Sequence, residues 1–295
     1  MKKKNVTLKN GETLSYLEQG KGQQELLLIH GNFSSSLHFS TLLEKLPKDI
    51  HVLACDLRGF GDSTYHKRIE RMADFADDVA LFMDALSVDR AAVLGWSLGG
   101  GVAMELAANH PDRVEKLILV HSTTHKGYPI FKKDEQGQPI VGATYASADE
   151  LIEDRVQVLP LLMAQKNDDF ATMSQVFDQL IYTVNKPDPK DNELWVKESL
   201  KQKNLLDADW ALANLNMSDQ PNYYNEGTDT IRRITVPVLH TKGKQDITVP
   251  DYMIKDNYEA LRDRSELIEY DQCGHSPFVD VLDAITRDIL TFIQA

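Results

Sequence analysis

The chain has 295 residues, 42% apolar and 26% charged, enough to bury a sizeable core in one large α/β domain or two small ones. Its formal net charge of -13 repels nucleic acid and anionic membrane surfaces, so neither is expected as a partner; a small neutral substrate stays open. Two cysteines, Cys55 and Cys273, are too few for a disulfide scaffold and read as buried packing residues, with no metal site expected.

Met1-Lys2-Lys3-Lys4 resembles the basic start of a leader, but Asn5, Val6 and Thr7 follow where an apolar core would stand. No apolar run is long enough to span a bilayer, and the expected location is the cytoplasm, with thiols reduced. Alternation around Asn10-Gly11 predicts a hairpin. Leu26 to His30 is a continuous apolar run, the pattern of a strand buried on both faces. It runs into Gly31-Asn32-Phe33-Ser34-Ser35-Ser36, whose serines can cap a helix from Leu37 to Leu46. Strand His51 to Cys55, helix Met72 to Leu86, strand Ala91 to Gly95, helix Leu98 to Asn109 and strand Lys116 to Val120 follow. This alternation predicts an α/β fold, a mostly parallel sheet covered by helices on both faces.

The rhythm stops after Ser122. Helical patterns and polar loops run to about Arg233. Then come strand Val236 to His240, a helix near Tyr252 to Leu261, strand Glu266 to Tyr270 and helix Val281 to Ile293. The expected organisation is a core of residues 1–122 and 234–295, of about eight strands, with 123–233 inserted as a helical block.

Gly95-Trp96-Ser97-Leu98-Gly99 fits G-x-S-x-G with a strand before it and a helix after it. A serine on so sharp a turn needs neighbours two residues away with no side chain, and it sits at a helix N-terminus, where free N–H groups favour developing negative charge. Gly100 and Gly101 are expected to let that helix pack close to the sheet. A serine hydroxyl also needs a base. His275, in Asp271-Gln272-Cys273-Gly274-His275-Ser276, stands in a loop past the last strand. His30, His121 and His240 end strands and read as partly buried. The base needs an orienting carboxylate. Asp246 stands after the penultimate strand; its competitor Asp251 follows Pro250 and reads as a helix cap, and His121-Ser122-Thr123-Thr124 holds no carboxylate. The order Ser97, Asp246, His275 is that of one hydrolase fold.

The segments LLLIHGNFSSS, ACDLRGFGDS, LGWSLGGGVAMELAANHPDRVEKLILV, VLHTKGKQDITVP and DQCGHSPFVD together resemble the α/β-hydrolase superfamily along nearly the whole chain. The resemblance implies an oxyanion hole from the N–H of Leu98 and that of Asn32, with Phe33 as the other candidate. It gives Asp56, Arg58 and Asp62 a structural turn rather than chemistry. Ser97 in place of a nucleophilic aspartate disfavours dehalogenase and epoxide hydrolase activities. It implies a cofactor-free serine hydrolase of a small or medium carboxylic ester, acting through an acyl-serine. Thioester, lactone or C–C hydrolysis and perhydrolysis remain alternatives. The SLGGG run resembles perhydrolases and simple carboxylesterases, and HGNFSSSLHF is similar to intracellular polyhydroxybutyrate depolymerase-like hydrolases. Members that keep the triad as small-molecule receptors make a binding protein the alternative from another class. The helical block matches the position of the superfamily's cap. Within it Phe177, Ile181 and Trp210 read as cap core, and Tyr182, Tyr223 and Tyr224 as surface packing.

Overall fold

A computed structural model describes residues 2–295; Met1 of the basic run lies outside them. Eight strands form one sheet: β1 Lys4–Thr7, β2 Thr13–Gln19, β3 Gln24–Ile29, β4 Ile50–Cys55, β5 Ala91–Trp96, β6 Val114–Val120, β7 Val238–Gly243 and β8 Ser265–Tyr270. The helices are α1 Ser40–Lys45, α2 Met72–Ala85, α3 Leu98–Asn109, α4 Val158–Lys166, α5 Phe170–Leu180, α6 Pro189–Ser199, α7 Leu205–Asn214, α8 Asp251–Ala260, α9 Pro277–Asp280 and α10 Leu282–Gln294.

The sheet order is β1-β2-β4-β3-β5-β6-β7-β8. β1 pairs with β2, and β2 with β4, antiparallel; β4 through β8 are joined by parallel pairings. The hairpin turns at Gly11, whose φ of +89° suits glycine. Successive strand residues feed opposite layers, as a period of two requires. Leu27 and Ile29 pack with Phe75, Val79 and Val102 of α2 and α3, while Leu26 and Leu28 pack with Leu42 of α1 and Ile285 and Ile289 of α10. Burial on both faces is why these strands read as unbroken apolar runs.

Two elements depart from their expected form. The Leu37 to Leu46 helix begins as a 3-10 turn, Ser36–Phe39, capped by Ser35, and becomes α-helical only at Ser40. β7 starts at Val238, because Pro237 has no N–H to give a ladder. The chain between β6 and β7 carries α4 to α7, two further 3-10 turns and one isolated bridge, Lys133 to Pro139, and adds no strand to the sheet. Trp195 of α6 ties it to the rest of the molecule, donating from Nε1 to the Leu37 carbonyl at 2.8 Å. No helix among the described residues is long and apolar enough to cross a membrane.

Candidate active site

Ser97 stands where β5 turns into α3, at φ 56° and ψ -120°. Such a conformation costs a non-glycine residue roughly 1–3 kcal/mol and persists only where the surroundings impose it. The surroundings are tight. A Cβ on Gly95 would lie 2.2 Å from the Gly99 carbonyl oxygen, and one on Gly99 would lie 2.2 Å from that of Ile29. The turn is therefore wedged against the end of β3. Ser97 is half-buried, and its hydroxyl has no hydrogen-bond partner among the described residues.

Asp246 and His275 come from loops after β7 and β8, which are laced together. The Lys244 N–H donates to the Tyr270 carbonyl and the Gln245 N–H to that of Cys273, both at 2.9 Å. His275 Nδ1 lies 2.8 Å from Asp246 Oδ2, with both side chains almost wholly buried. Asp246 Oδ1 accepts from the N–H groups of Thr248 at 2.8 Å and Val249 at 2.9 Å. The carboxylate is an acceptor throughout, so the shared proton sits on His275 Nδ1 and Nε2 is left as the basic nitrogen. Burial by itself would raise the Asp246 carboxyl. The attraction of His275, its hydrogen bond, nearby His121 and the Val249 N–H outweigh it and hold the group below the usual carboxylate range. Asp251 stands outside this arrangement: it opens α8 and pairs with Lys242 and, at 2.6 Å, with Lys255.

Trp96 links the serine turn to the histidine loop, its Nε1 donating to the His275 carbonyl at 3.0 Å. The Gly31 loop closes over the other side, where a Cβ on Gly31 would sit 3.0 Å from Ser97 Cβ. His30 fixes that loop: Nε2 accepts from the Leu57 N–H at 3.0 Å, so Nδ1 carries the proton and donates to the Gly31 carbonyl at 2.8 Å. The N–H groups of Asn32 and Leu98 have no protein acceptor among the described residues. The Phe33 N–H is taken by Asn32 Oδ1 and Gln202 Oε1, each at 3.2 Å. That leaves Asn32 rather than Phe33 free to serve a ligand.

Sequence patterns put His121 at a strand end but gave no sign that it stands beside Asp246. It is fully buried at the end of β6 with φ +43°, and its Nδ1 lies 3.6 Å from Asp246 Oδ2. Neither ring nitrogen has a hydrogen-bond partner among the described residues, and burial lowers its pKa to about 4 against the pull of Asp246. Donor atoms of His121, Asp246 and His275 lie within 4.8 Å of one another, a spacing a divalent cation could bridge by displacing the His275 Nδ1 proton. His30, His121 and His240 are all buried rather than partly so. Cys55 and Cys273 are free and buried, as expected. Tyr182 corrects its surface reading: it packs in the cluster of Phe177 and Trp195 at 1% exposure, because its ring fills the core between α5 and α6. Tyr223 is exposed, and Tyr224 donates its hydroxyl to the Ile130 carbonyl.

A family model described as the alpha/beta hydrolase fold matches residues 25–281. The chain belongs to that family. Among proteins similar to this α/β-hydrolase is the pimeloyl-[acyl-carrier protein] methyl ester esterase of Vibrio atlanticus, 27% identical over 286 residues, covering 96% of this chain and 99% of that one. The enzyme of the same name from Neisseria meningitidis is 28% identical over 275 residues, 92% of this chain and 93% of its own. Among solved structures, an esterase from Exiguobacterium antarcticum superposes with a TM-score of 0.74 at 21% identity, covering 99% of both chains. An enol-lactonase from Burkholderia xenovorans gives a TM-score of 0.74 at 17% identity, over 99% of this chain and all of that one. At such identities these two likenesses speak for the fold alone.

Proposed function

We propose that this α/β-hydrolase is a serine esterase that cleaves a small or medium carboxylic ester through an acyl-serine. The observation that carries the reading is the 2.8 Å bond between His275 Nδ1 and Asp246 Oδ2 beside the strained Ser97 turn. Ser97 Oγ attacks the ester carbonyl, and His275 Nε2 takes its proton. Asp246 holds the imidazole tautomer and stabilises the imidazolium. The N–H groups of Leu98 and Asn32 receive the oxyanion; losing one such donor typically costs about 3 kcal/mol of barrier. His275 returns the proton to the leaving alcohol. Water, deprotonated by His275, then attacks the acyl-serine and releases the acid and Ser97.

Residues 123–233 act as a cap over this site, walling off the acyl group from bulk water. The similar proteins named as pimeloyl-[acyl-carrier protein] methyl ester esterases support an ester, and a methyl ester in particular, as the bond cleaved. Free and buried thiols suit a reducing cytoplasm.

The test is labelling by a fluorophosphonate, followed by turnover of p-nitrophenyl esters of rising chain length and of a dicarboxylic acid monomethyl ester, in wild type and Ser97→Ala. Labelling and hydrolysis that both vanish in Ser97→Ala are expected. A protein that does not label overturns the mechanism. One that labels at Ser97 yet turns over no ester favours a receptor or a hydrolase of another bond.

A further inference from the structure

The backbone N–H of Asn32 is only as well placed as the loop that carries it, and that loop is held by the helical segment. Phe33 has a φ of +53°, a conformation a phenylalanine adopts only when its surroundings impose it. The imposing group is the Asn32 side chain. Its Oδ1 accepts from the Phe33 N–H at 3.2 Å and from Gln202 Nε2 at 2.9 Å, while its Nδ2 donates to Asp209 Oδ1 at 2.8 Å. The backbone donor fixes which end of the amide is oxygen, and the carboxylate takes the nitrogen end. Gln202 closes the ring by accepting the same Phe33 N–H on Oε1 at 3.2 Å. Gln202 follows α6 and Asp209 lies in α7, so the two partners from outside the loop both come from the segment between β6 and β7.

Asp209 is otherwise hard to account for. It has no ion-pair partner among the described residues, and burial pushes it up to about 7 against the Asn32 hydrogen bond. A buried carboxyl whose single side-chain partner is the amide beside the oxyanion donor is costly unless that contact matters.

We propose that Asp209 and Gln202 are positioning residues that set the Asn32 N–H for the oxyanion, so that docking of the cap and assembly of the oxyanion hole are one event. The inference rests on the serine esterase reading above. Withdrawing the helical segment removes the Asp209 and Gln202 contacts of the Asn32 amide and frees Phe33 to relax from its strained φ, turning the N–H out of line. A chain with its cap displaced then has its nucleophile and base in place but half an oxyanion hole.

The experiment uses the full chain as wild type, Asp209→Ala, Asp209→Asn, Gln202→Ala and Ser97→Ala. It measures kcat, KM, melting temperature and the inhibition constant of a trifluoromethyl ketone, whose hemiketal oxygen occupies an oxyanion hole. Asp209→Ala is expected to lower kcat by roughly 10- to 100-fold with KM within about 3-fold, and to weaken the ketone by a similar factor. Asp209→Asn still offers an oxygen to Asn32 Nδ2 and should recover most of the loss. Gln202→Ala, the milder change, should show the same split at several-fold and carries the test if Asp209→Ala does not fold. A melting temperature that falls while kcat and ketone affinity hold, or a loss confined to KM, overturns the proposal. Ser97→Ala as active as wild type overturns the serine reading and the proposal with it. Dependence on Ser97 with unimpaired Asp209 and Gln202 variants overturns the positioning alone.

Discussion

Trp96 Nε1 donates to the His275 carbonyl at 3.0 Å, and the two rings lie 5.7 Å apart. The residue before the candidate nucleophile thus grips the loop of the candidate base. Trp96→Phe keeps most of the ring and loses the donor, leaving a buried carbonyl unpaired. The expected cost is about 1–3 kcal/mol of stability, read by urea unfolding, with kcat several-fold lower as the histidine loop loosens. Unchanged kcat would mean the other contacts of the loop suffice.

The glycines that open α3 differ in what they tolerate. A Cβ on Gly99 would meet backbone oxygens of Ile29 and His30 at 2.2 and 2.5 Å, which cannot move without parting β3 from the turn. Gly99→Ala is expected to yield little folded protein. On Gly101 the nearest atoms are methyls of Thr123 and Leu215 at 3.0 and 3.1 Å, and alanine gains helix propensity. Gly101→Ala should melt within a few degrees of wild type.

Stability should fall steeply in mild acid. Burial lowers the pKa values of His30 and His121 to about 4 and that of His240 to about 3, and holds His38 well below its ordinary value. Unfolded, each takes a proton near pH 6.5. Between pH 6.5 and about 4 the unfolded chain binds protons that the native one refuses, so each histidine removes up to ~1.4 kcal/mol per pH unit as pH drops. Urea unfolding at pH 7.5, 6 and 5 should show it. His240→Phe, which leaves Ser265 its bond to the Leu261 carbonyl, should flatten the slope. A slope unchanged in that variant refutes the assignment.

Lys3 is a structural residue. Its Nζ lies 2.7 Å from Asp56, 3.0 Å from Asp62 and in contact with Glu198 of α6. Burial would lower its pKa, but Asp56 and Glu198 outweigh that and raise it. Lys3→Met leaves Asp56 with only the N–H groups of Ser36 and Asp62 and Glu198 with Lys201 alone, at a cost of about 1–3 kcal/mol, and loosens α6 from the core. Lys2→Met, at an exposed position, should melt like wild type. Equal melting temperatures for the two would show the network to be idle.

Much of this was written locally. Unbroken runs such as Leu26 to Ile29 are apolar because both faces of the sheet are covered, and that burial can be read from one segment. Gly95 and Gly99 carry their own reason, since no side chain fits there. Lys3 carries no such local reason: nothing in the basic run sets it apart from Lys2 and Lys4, and only the fold brings three carboxylates to it.

The sequence by itself determined the order of strands and helices, the serine turn, and the pair Asp246 and His275 at successive strand ends. Period, turn chemistry and chain order are local properties. The tertiary structure alone decided that Asn32 is held by Asp209 and Gln202, that Asp246 has His121 beside it, and that Tyr182 is core. Asn32 stands more than a hundred positions from Asp209 and Gln202, as His121 does from Asp246, and Tyr182 meets Phe177 and Trp195 only because α5 and α6 pack together; a buried contact depends on where two backbones meet, which no stretch of either one records.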